Sequence, residues 1–346
     1  MKTLLLIFLL IVGFSFSCRK EDVSFSTNTS DVFYVSNAGA SMRVLVEGNT
    51  QNNVFVLVVH GGPGMSSYVY NTAYLSKNLE DKCAMVYWDQ RNSGASQGNS
   101  NGNRLNLDQM VEDLRKVIVV LKYRYGQNIK IYLLGHSFGG MISTAFLTEP
   151  GNQEMVSGYI DVDASHDYPV NDSLTRLSLL KTGVSEIAKG NKTKEWEAIV
   201  RYCKDHPSNF SLEESQSLEI FAAEAENYID SVKSVNIVST VFRGIVDDKT
   251  PVTSVLVNLL YTENSEFNKE LLKKRFSDKL GMINIPVLVL WGKYDFVCPP
   301  ALGKDFYSLV SSTEKRMVVS PVSGHNFIYQ DEKLFCDEVS SFVLAR

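Results

Sequence analysis

Apolar and polar positions alternate along this chain in blocks that indicate strands followed by helices. Continuous apolar runs at Val54–Val59 and Ala84–Trp88 are typical of strands that are buried on both faces. A helical pattern covers Leu107–Tyr125, and Gly126 ends it. One face of that helix carries Met110, Leu114, Val117, Ile118 and Leu121. The alternation predicts an α/β protein with a mostly parallel sheet and helices on both faces.

Eight strands are predicted, and the first two are expected to form an antiparallel hairpin. They lie at Phe33–Val35, Arg43–Val46, Val54–Val59, Ala84–Trp88, Ile131–Leu134, Val156–Val162, Pro286–Trp291 and Arg316–Ser320. The strand–helix rhythm stops between residues 166 and 281, where amphipathic runs such as Trp196–Lys204 and Glu213–Val232 predict helices. We therefore expect a core formed by residues 33–165 and 282–346, interrupted by a helical cap at 166–281.

The N-terminal segment is typical of an export signal. Lys2 precedes an apolar run from Leu4 to Phe16, which is too short to cross a bilayer and predicts a signal peptide at residues 1–17. Cys18 follows directly, and the segment resembles a bacterial lipoprotein signal, which implies lipidation of Cys18. Residues 18–32 would then be a polar tether. The expected location is the bacterial outer membrane, with the cell surface suggested by the acidic residues after Cys18. Secretion or a soluble periplasmic location is the alternative.

Composition narrows the classes of partner. The formal net charge of −5 provides no basic surface for nucleic acid, so we expect none as a partner. Four cysteines remain beyond Cys18, and the sequence leaves their pairing open. They are Cys83, Cys203, Cys298 and Cys336. Their spacing is unlike that of a zinc site, and neither a metal nor an organic cofactor is expected.

A nucleophile motif lies between a predicted strand and a predicted helix. Residues 135–140 read Gly-His-Ser-Phe-Gly-Gly and contain Gly-x-Ser-x-Gly. This turn is so tight that the residues flanking the serine must be small, and it exposes the hydroxyl at a helix N-terminus. Ser137 is therefore the predicted nucleophile.

The other catalytic candidates follow from their places in the strand order. Acyl transfer needs two backbone N–H donors for the oxyanion, and we assign them to Gly62, after the third strand, and Phe138. His325, after the last strand, is the predicted general base. Asp295, after the Pro286–Trp291 strand, is the predicted acid, and Asp163 is its rival.

These motifs resemble the α/β-hydrolase family over residues 33–346. The stretch His60-Gly61-Gly62-Pro63-Gly64, together with Asp89-Gln90-Arg91-Asn92-Ser93-Gly94, is similar to the proline iminopeptidase branch. The resemblance implies an eight-stranded α/β-hydrolase fold with a helical cap, and a supporting role for Asp89 and Arg91. This chain departs from that branch at His136, Phe138 and Asn92, which affects the expected preference for proline.

An aminopeptidase must also bind a free, positively charged N-terminus, for which carboxylates are suited. The segment Glu224-Ala225-Glu226-Asn227-Tyr228 resembles the glutamate-bearing cap helix of the branch, which implies substrate binding by Glu226. A solvated helix face is the alternative.

The sequence thus predicts a serine hydrolase that acts by two-step acyl transfer on short peptides, as an aminopeptidase. An esterase or amidase acting on small non-peptide substrates is the alternative, and a non-catalytic surface binding protein is a third hypothesis. The oligomeric state is left open.

Overall fold

The computed structural model describes residues 28–96, 105–208, 210–234 and 265–345, together with positions 245, 246, 251 and 253. The predicted signal peptide and Cys18 lie outside these ranges, as do most of the tether and most of residues 235–264. Within the described ranges, no helix is long and apolar enough to span a membrane.

An eight-stranded sheet runs through the centre of the described chain, in the order β1-β2-β4-β3-β5-β6-β7-β8. Its strands are β1 Asn28–Asn37, β2 Ala40–Asn49, β3 Val54–Val59, β4 Ala84–Trp88, β5 Lys130–His136, β6 Gly158–Val162, β7 Val287–Gly292 and β8 Lys315–Ser320. Strand β2 pairs antiparallel with β1 and β4, whereas all later neighbours are parallel. The predicted fold class is confirmed.

Strand β3 shows why its residues form a continuous apolar run. All six of its side chains are buried. Phe55, Leu57 and Val59 belong to the core on one face of the sheet, and Val54, Val56 and Val58 belong to the core on the other. Because neighbouring strand residues point to opposite faces, a strand covered on both sides must be apolar at every position. Each buried aliphatic side chain here contributes roughly 1.5–3 kcal/mol.

Helices cover both faces of the sheet. They are α1 Ala73–Leu75, α2 Leu107–Tyr125, α3 Phe138–Leu147, α4 Tyr168–Lys189, α5 Thr193–Asp205, α6 Leu212–Glu226, α7 Ser265–Leu271, α8 Pro300–Leu309, α9 Phe327–Gln330 and α10 Glu332–Leu344. Shorter helical turns occupy Ser67–Tyr70, Ser76–Glu80, Gln153–Met155 and Ser277–Met282. Helix α2 has the predicted bounds, since Asn106 caps its N-terminus by accepting from Gln109 N and Gly126 ends it at φ 117°.

The opening hairpin is longer than predicted. Strands β1 and β2 pair over ten residues each, so residues 28–32, which we expected in the tether, belong to β1. Backbone pairing at a sheet edge does not require an apolar side chain at each position, and Val32 and Tyr34 remain exposed there. The apolar pattern therefore underestimated the hairpin.

The insertion between β6 and β7 is helical where it is described. Its ends meet in an antiparallel bridge between Asp167 and Arg275. The predicted helix Glu213–Val232 was wrong at its C-terminus, because α6 ends at Glu226. The side-chain amide of Asn227 donates to the Ala223 carbonyl, and the following backbone forms tighter turns. The longest cap helix, α4, was not singled out from the sequence.

Candidate active site

Ser137 lies in the sharp turn between β5 and α3. Its backbone has φ 54° and ψ −123°, a region that residues other than glycine rarely adopt. The turn needs glycine two residues later, because a Cβ on Gly139 would overlap the Val59 carbonyl group of the neighbouring strand. The chain can make this turn only with a small residue there, and the turn places the Ser137 hydroxyl at the N-terminus of α3.

The structure brings together the three residues predicted as a catalytic triad. His325 Nε2 lies 2.9 Å from Ser137 Oγ, and His325 Nδ1 lies 3.0 Å from Asp295 Oδ2. An ionised carboxylate only accepts hydrogen bonds, so the ring proton belongs on Nδ1. Nε2 is then free to accept the Ser137 hydroxyl proton. This tautomer is the one that a general base requires.

Asp295, and not Asp163, reaches the histidine ring. Asp295 is fully buried, and its Oδ1 accepts from Cys298 N at 2.7 Å. Burial raises the pKa of Asp295, and backbone N–H donors oppose the rise. Asp163 accepts instead from the backbone N–H groups of Gly292 (2.7 Å) and Phe327 (3.1 Å). It therefore ties the end of β7 to the loop of His325.

Gly62 and Phe138 line the same cleft as Ser137. Gly62 has φ 118°, which favours glycine, and Phe138 is the first residue of α3, where an N–H has no partner within the helix. Their assignment as oxyanion donors stays a prediction.

A chain of hydrogen bonds connects the Gly62 loop to the nucleophile turn and to His325. The Gly61 N–H donates to Tyr70 Oη at 2.9 Å, and Tyr70 Oη lies 2.8 Å from His136 Nδ1. His136 Nε2 lies 2.9 Å from the His325 carbonyl oxygen. Because a carbonyl only accepts, His136 carries its proton on Nε2 and Nδ1 accepts from the Tyr70 hydroxyl. Burial lowers the pKa of His136 to about 3, so its ring is neutral. No sequence motif pointed to Tyr70.

The segment after β4 has a supporting role, as the family resemblance implied. Arg91 forms a two-pronged ion pair with Asp113 of α2, at 2.6 and 2.7 Å, and both side chains are fully buried. Asp89 accepts from the backbone N–H groups of Ser67 (2.6 Å) and Ala95 (2.8 Å). These contacts hold neighbouring loops together, and neither Asp89 nor Arg91 lines the cleft.

The structure places Glu226 away from the cleft lining. Its side chain is buried, with 6% exposure, so the solvated-face alternative is wrong. Its carboxyl group accepts from the backbone N–H groups of His325 (3.0 and 3.1 Å) and Phe296 (3.3 Å). The predicted contact with a substrate amine is therefore not supported by its position, since the group is directed to the loops that carry Asp295 and His325.

Two other cap carboxylates do line the cleft beside Ser137, namely Asp172 of α4 and Glu219 of α6. Neither residue was predicted from the sequence. Glu219 lies two helical turns before Glu226 and so shares its side of α6, which was the available signal. Asp172 had no motif to mark it.

All four described cysteines are buried and free of disulfides, namely Cys83, Cys203, Cys298 and Cys336. In the same part of the chain, no group of three or more histidine, cysteine, aspartate or glutamate side chains is arranged to hold a metal ion.

Comparison with known proteins agrees with this geometry. A family model for the alpha/beta hydrolase fold matches residues 54–195. The chain is 21% identical over 309 residues to the Probable aminopeptidase YbaC of Bacillus subtilis (strain 168). The aligned region covers 88% of this chain and 94% of that protein.

Solved structures with a similar fold come from both peptidases and esterases. A proline iminopeptidase from Mycobacterium smegmatis matches with a TM-score of 0.63 and 17% identity, covering 91% of this chain and 98% of that one. The esterase EaEST from Exiguobacterium antarcticum matches with a TM-score of 0.59 and 18% identity, covering 90% and 98%. Similarity at this level identifies a fold and not a substrate. The chain is therefore a hydrolase with the α/β-hydrolase fold.

Proposed function

We propose that this chain is a serine aminopeptidase that removes residues from short peptides by two-step acyl transfer. The observation that carries the proposal is the shared cleft: Ser137, Asp172 and Glu219 all line it. The hydrogen-bonded series from Ser137 through His325 to Asp295 supports the hydrolytic step. The pair of carboxylates supports recognition of a positively charged amine. The name of the Bacillus subtilis relative agrees with this class of reaction.

Acylation begins with attack of Ser137 Oγ on the substrate carbonyl carbon. His325 Nε2, 2.9 Å from that oxygen, takes the proton. Asp295 stabilises the resulting imidazolium through Nδ1. The carbonyl oxygen becomes an oxyanion, which the backbone N–H groups of Gly62 and Phe138 stabilise. When the tetrahedral intermediate collapses, His325 returns the proton to the leaving amine, and the acyl group remains on Ser137.

Deacylation repeats these roles with water. His325 Nε2 removes a proton from water, the hydroxide attacks the acyl carbon, and the intermediate collapses to release the carboxylic acid and to restore the Ser137 hydroxyl. Every proton is returned within each turnover, so the cycle needs no external co-reactant other than water.

Asp172 and Glu219 are suited to bind an ammonium group. Asp172 is 8% exposed, and burial raises its pKa to about 6, while a hydrogen bond with Ser215 opposes the rise. The Glu219 residue keeps part of its surface exposed, and partial loss of hydration beside the cleft raises the pKa of its carboxyl group; protonated His325 opposes the rise, and the negative charge of Asp172 adds to it. A cation between two carboxylates offsets their mutual repulsion and favours their ionised forms. A free peptide N-terminus would be that cation.

The test pairs aminoacyl anilides with free and acetylated N-termini against short-chain esters, on protein that lacks residues 1–18. We expect cleavage of free-amine anilides that is lost on acetylation. Glu219→Gln should raise KM for the free-amine substrates about tenfold, which corresponds to ~1.4 kcal/mol, and leave ester hydrolysis unchanged. Glu224→Gln is the matched control, because Glu224 is exposed on the same helix and, unlike Glu219, does not line the cleft. Hydrolysis of esters alone, with equal KM values in both variants, would instead assign the chain to the esterases.

We also propose that the protein is exported and anchored through lipid on Cys18, as the N-terminal pattern indicates. Labelling of cells with a radioactive fatty acid should modify the full-length chain and not a Cys18→Ser variant. Equal labelling of the two would refute the anchor.

A further inference from the structure

Glu226 belongs to the last turn of cap helix α6, yet its carboxyl group contacts the backbone of two core loops. Oε1 accepts from His325 N at 3.0 Å and from Phe296 N at 3.3 Å, and Oε2 lies 3.1 Å from His325 N. Phe296 directly follows Asp295 in the chain. One side chain from the cap therefore joins the loop of the catalytic acid to the loop of the catalytic base.

The approach is close because the base loop has glycine before the histidine. A Cβ on Gly324 would overlap the Glu226 carboxyl group. The segment after Glu226 continues along the same loop, since Lys233 N donates to the Val322 carbonyl at 3.2 Å and Gln330 Nε2 donates to the Lys233 carbonyl at 3.1 Å. The segment that follows α6 is thus joined by hydrogen bonds to residues on both sides of His325.

These contacts complete the hydrogen bonding of His325. Its ring nitrogens lie against Asp295 and Ser137, its carbonyl accepts from His136 Nε2, and its N–H donates to Glu226. Asp163 and Glu226 make similar contacts. Asp163 accepts from Gly292 N at the end of β7 and from Phe327 N, which follows the base loop. Glu226 accepts from Phe296 N, beyond the end of β7, and from His325 N of the base loop. Asp163 does so from the core and Glu226 from the cap.

We propose that Glu226 is a positioning residue that holds His325 and Asp295 in register, so that assembly of the triad depends on docking of the cap. The inference rests on the proposed catalytic role of the triad and goes beyond it. The length of the Glu226 side chain lets its carboxyl oxygen accept from both loops, and the side chain does not bind the substrate amine.

The electrostatics of the site agree with an acceptor that need not be charged. Burial raises the pKa of Glu226 to about 8; the negative charge of Asp295 adds to the rise, and the charge of His325 and the two N–H donors oppose it. Whether it is neutral or ionised, the carboxyl group keeps Oε1 as an acceptor for both backbone N–H groups.

Two variants separate length from charge. Glu226→Gln keeps an acceptor oxygen at the same distance from the helix and cannot ionise. Glu226→Asp can still ionise, but its side chain is one methylene shorter, so its oxygens lie farther from the two N–H groups. If Glu226 positions His325, Glu226→Asp should lower kcat on a short-chain ester about tenfold or more with little change in KM, since small displacements of catalytic groups are costly. Glu226→Gln should remain within about threefold of the unaltered protein. The rate at which a fluorophosphonate labels Ser137 should follow the same order.

The opposite order would overturn the proposal. If Glu226 binds the amine, Glu226→Gln should be the worse variant, through KM, on free-amine anilides only, and ester turnover should be unchanged. Equal ester kinetics and labelling rates in both variants would also reject it. Glu224→Gln and Glu224→Asp provide matched controls on the exposed side of α6. The final amount of labelled Ser137 measures the folded enzyme in each sample, and each hydrolysis rate is divided by that amount. Failure of the unaltered protein to label at Ser137 would count against the proposed function rather than against this inference.

Discussion

The hydroxyl group of Tyr70 offers a direct test of the hydrogen-bond chain behind the catalytic residues. Tyr70 is 2% exposed, and its oxygen accepts from Gly61 N and donates to His136 Nδ1. Tyr70→Phe removes that oxygen and keeps the ring, which packs against His136 and Tyr329 at centroid distances of 5.5 and 6.1 Å. The change therefore isolates the two hydrogen bonds from the packing.

The expected loss of stability follows from the two groups left without a partner. A buried donor or acceptor that loses its hydrogen bond costs about 1–3 kcal/mol, so the free energy of unfolding should fall by roughly 2–6 kcal/mol. His136 cannot compensate by taking a proton, because burial holds its pKa at about 3. Gly61 precedes the predicted oxyanion donor Gly62, and loosening that loop should lower kcat about tenfold to a hundredfold.

The assay is urea denaturation followed by fluorescence, together with ester hydrolysis. The midpoint should move to lower urea with the slope unchanged, which indicates a loss of stability rather than a change in the unfolded state. Tyr123→Phe is the control, because Tyr123 is 87% exposed and loss of its hydroxyl should change stability by less than about 0.5 kcal/mol. A Tyr70→Phe variant with the stability and kcat of the control would refute the argument.

Two further predictions concern buried ionisable groups. Asp113→Ala leaves the buried Arg91 guanidinium without its carboxylate and should cost about 3–5 kcal/mol in urea denaturation; an unchanged midpoint would show that the pair is dispensable. Burial raises the pKa of Asp161 to about 7, so the folded chain keeps a proton that the unfolded chain releases near pH 4. This contribution is fully present below pH ~4 and is lost as the pH rises to ~7, a change on the order of 4 kcal/mol. Asp161→Asn should flatten the stability profile across that window, and a profile parallel to that of the unaltered protein would contradict it.

Local sequence determines the strands and the nucleophile turn. An apolar run such as Val54–Val59 has one stable environment, a strand covered on both faces, whatever lies further along the chain. The turn at Ser137 can be recognised from its local sequence, because Gly-x-Ser-x-Gly lies between a strand and a helix, although the contact that requires glycine at 139 is with Val59 of a neighbouring strand. The position of His325 after the last strand followed from strand order, because parallel strands bring their carboxyl ends to one edge of the sheet.

Edge and capping positions were predicted less well. Strand β1 carries exposed apolar and polar side chains, so its length depends on pairing with β2 and leaves no apolar pattern. The end of α6 at Glu226 depends on how the Asn227 amide competes with the backbone and on where the following turn docks. Both are decided by partners outside the segment itself.

The sequence by itself predicted the eight strands, a helical insertion between the sixth and seventh strands, and Ser137 and His325 as catalytic candidates, and it left Asp295 and Asp163 as alternatives for the acid. Only the tertiary structure assigned Glu226 to the backbone of the base loop and brought Asp172 and Glu219 to the cleft. A motif such as the one around Ser137 can be recognised in the sequence because its residues are adjacent in the chain. The role of a cap carboxylate depends instead on contacts with residues up to a hundred positions away, and the spacing of acidic residues along a helix cannot distinguish a group that faces the substrate from one that holds the catalytic histidine.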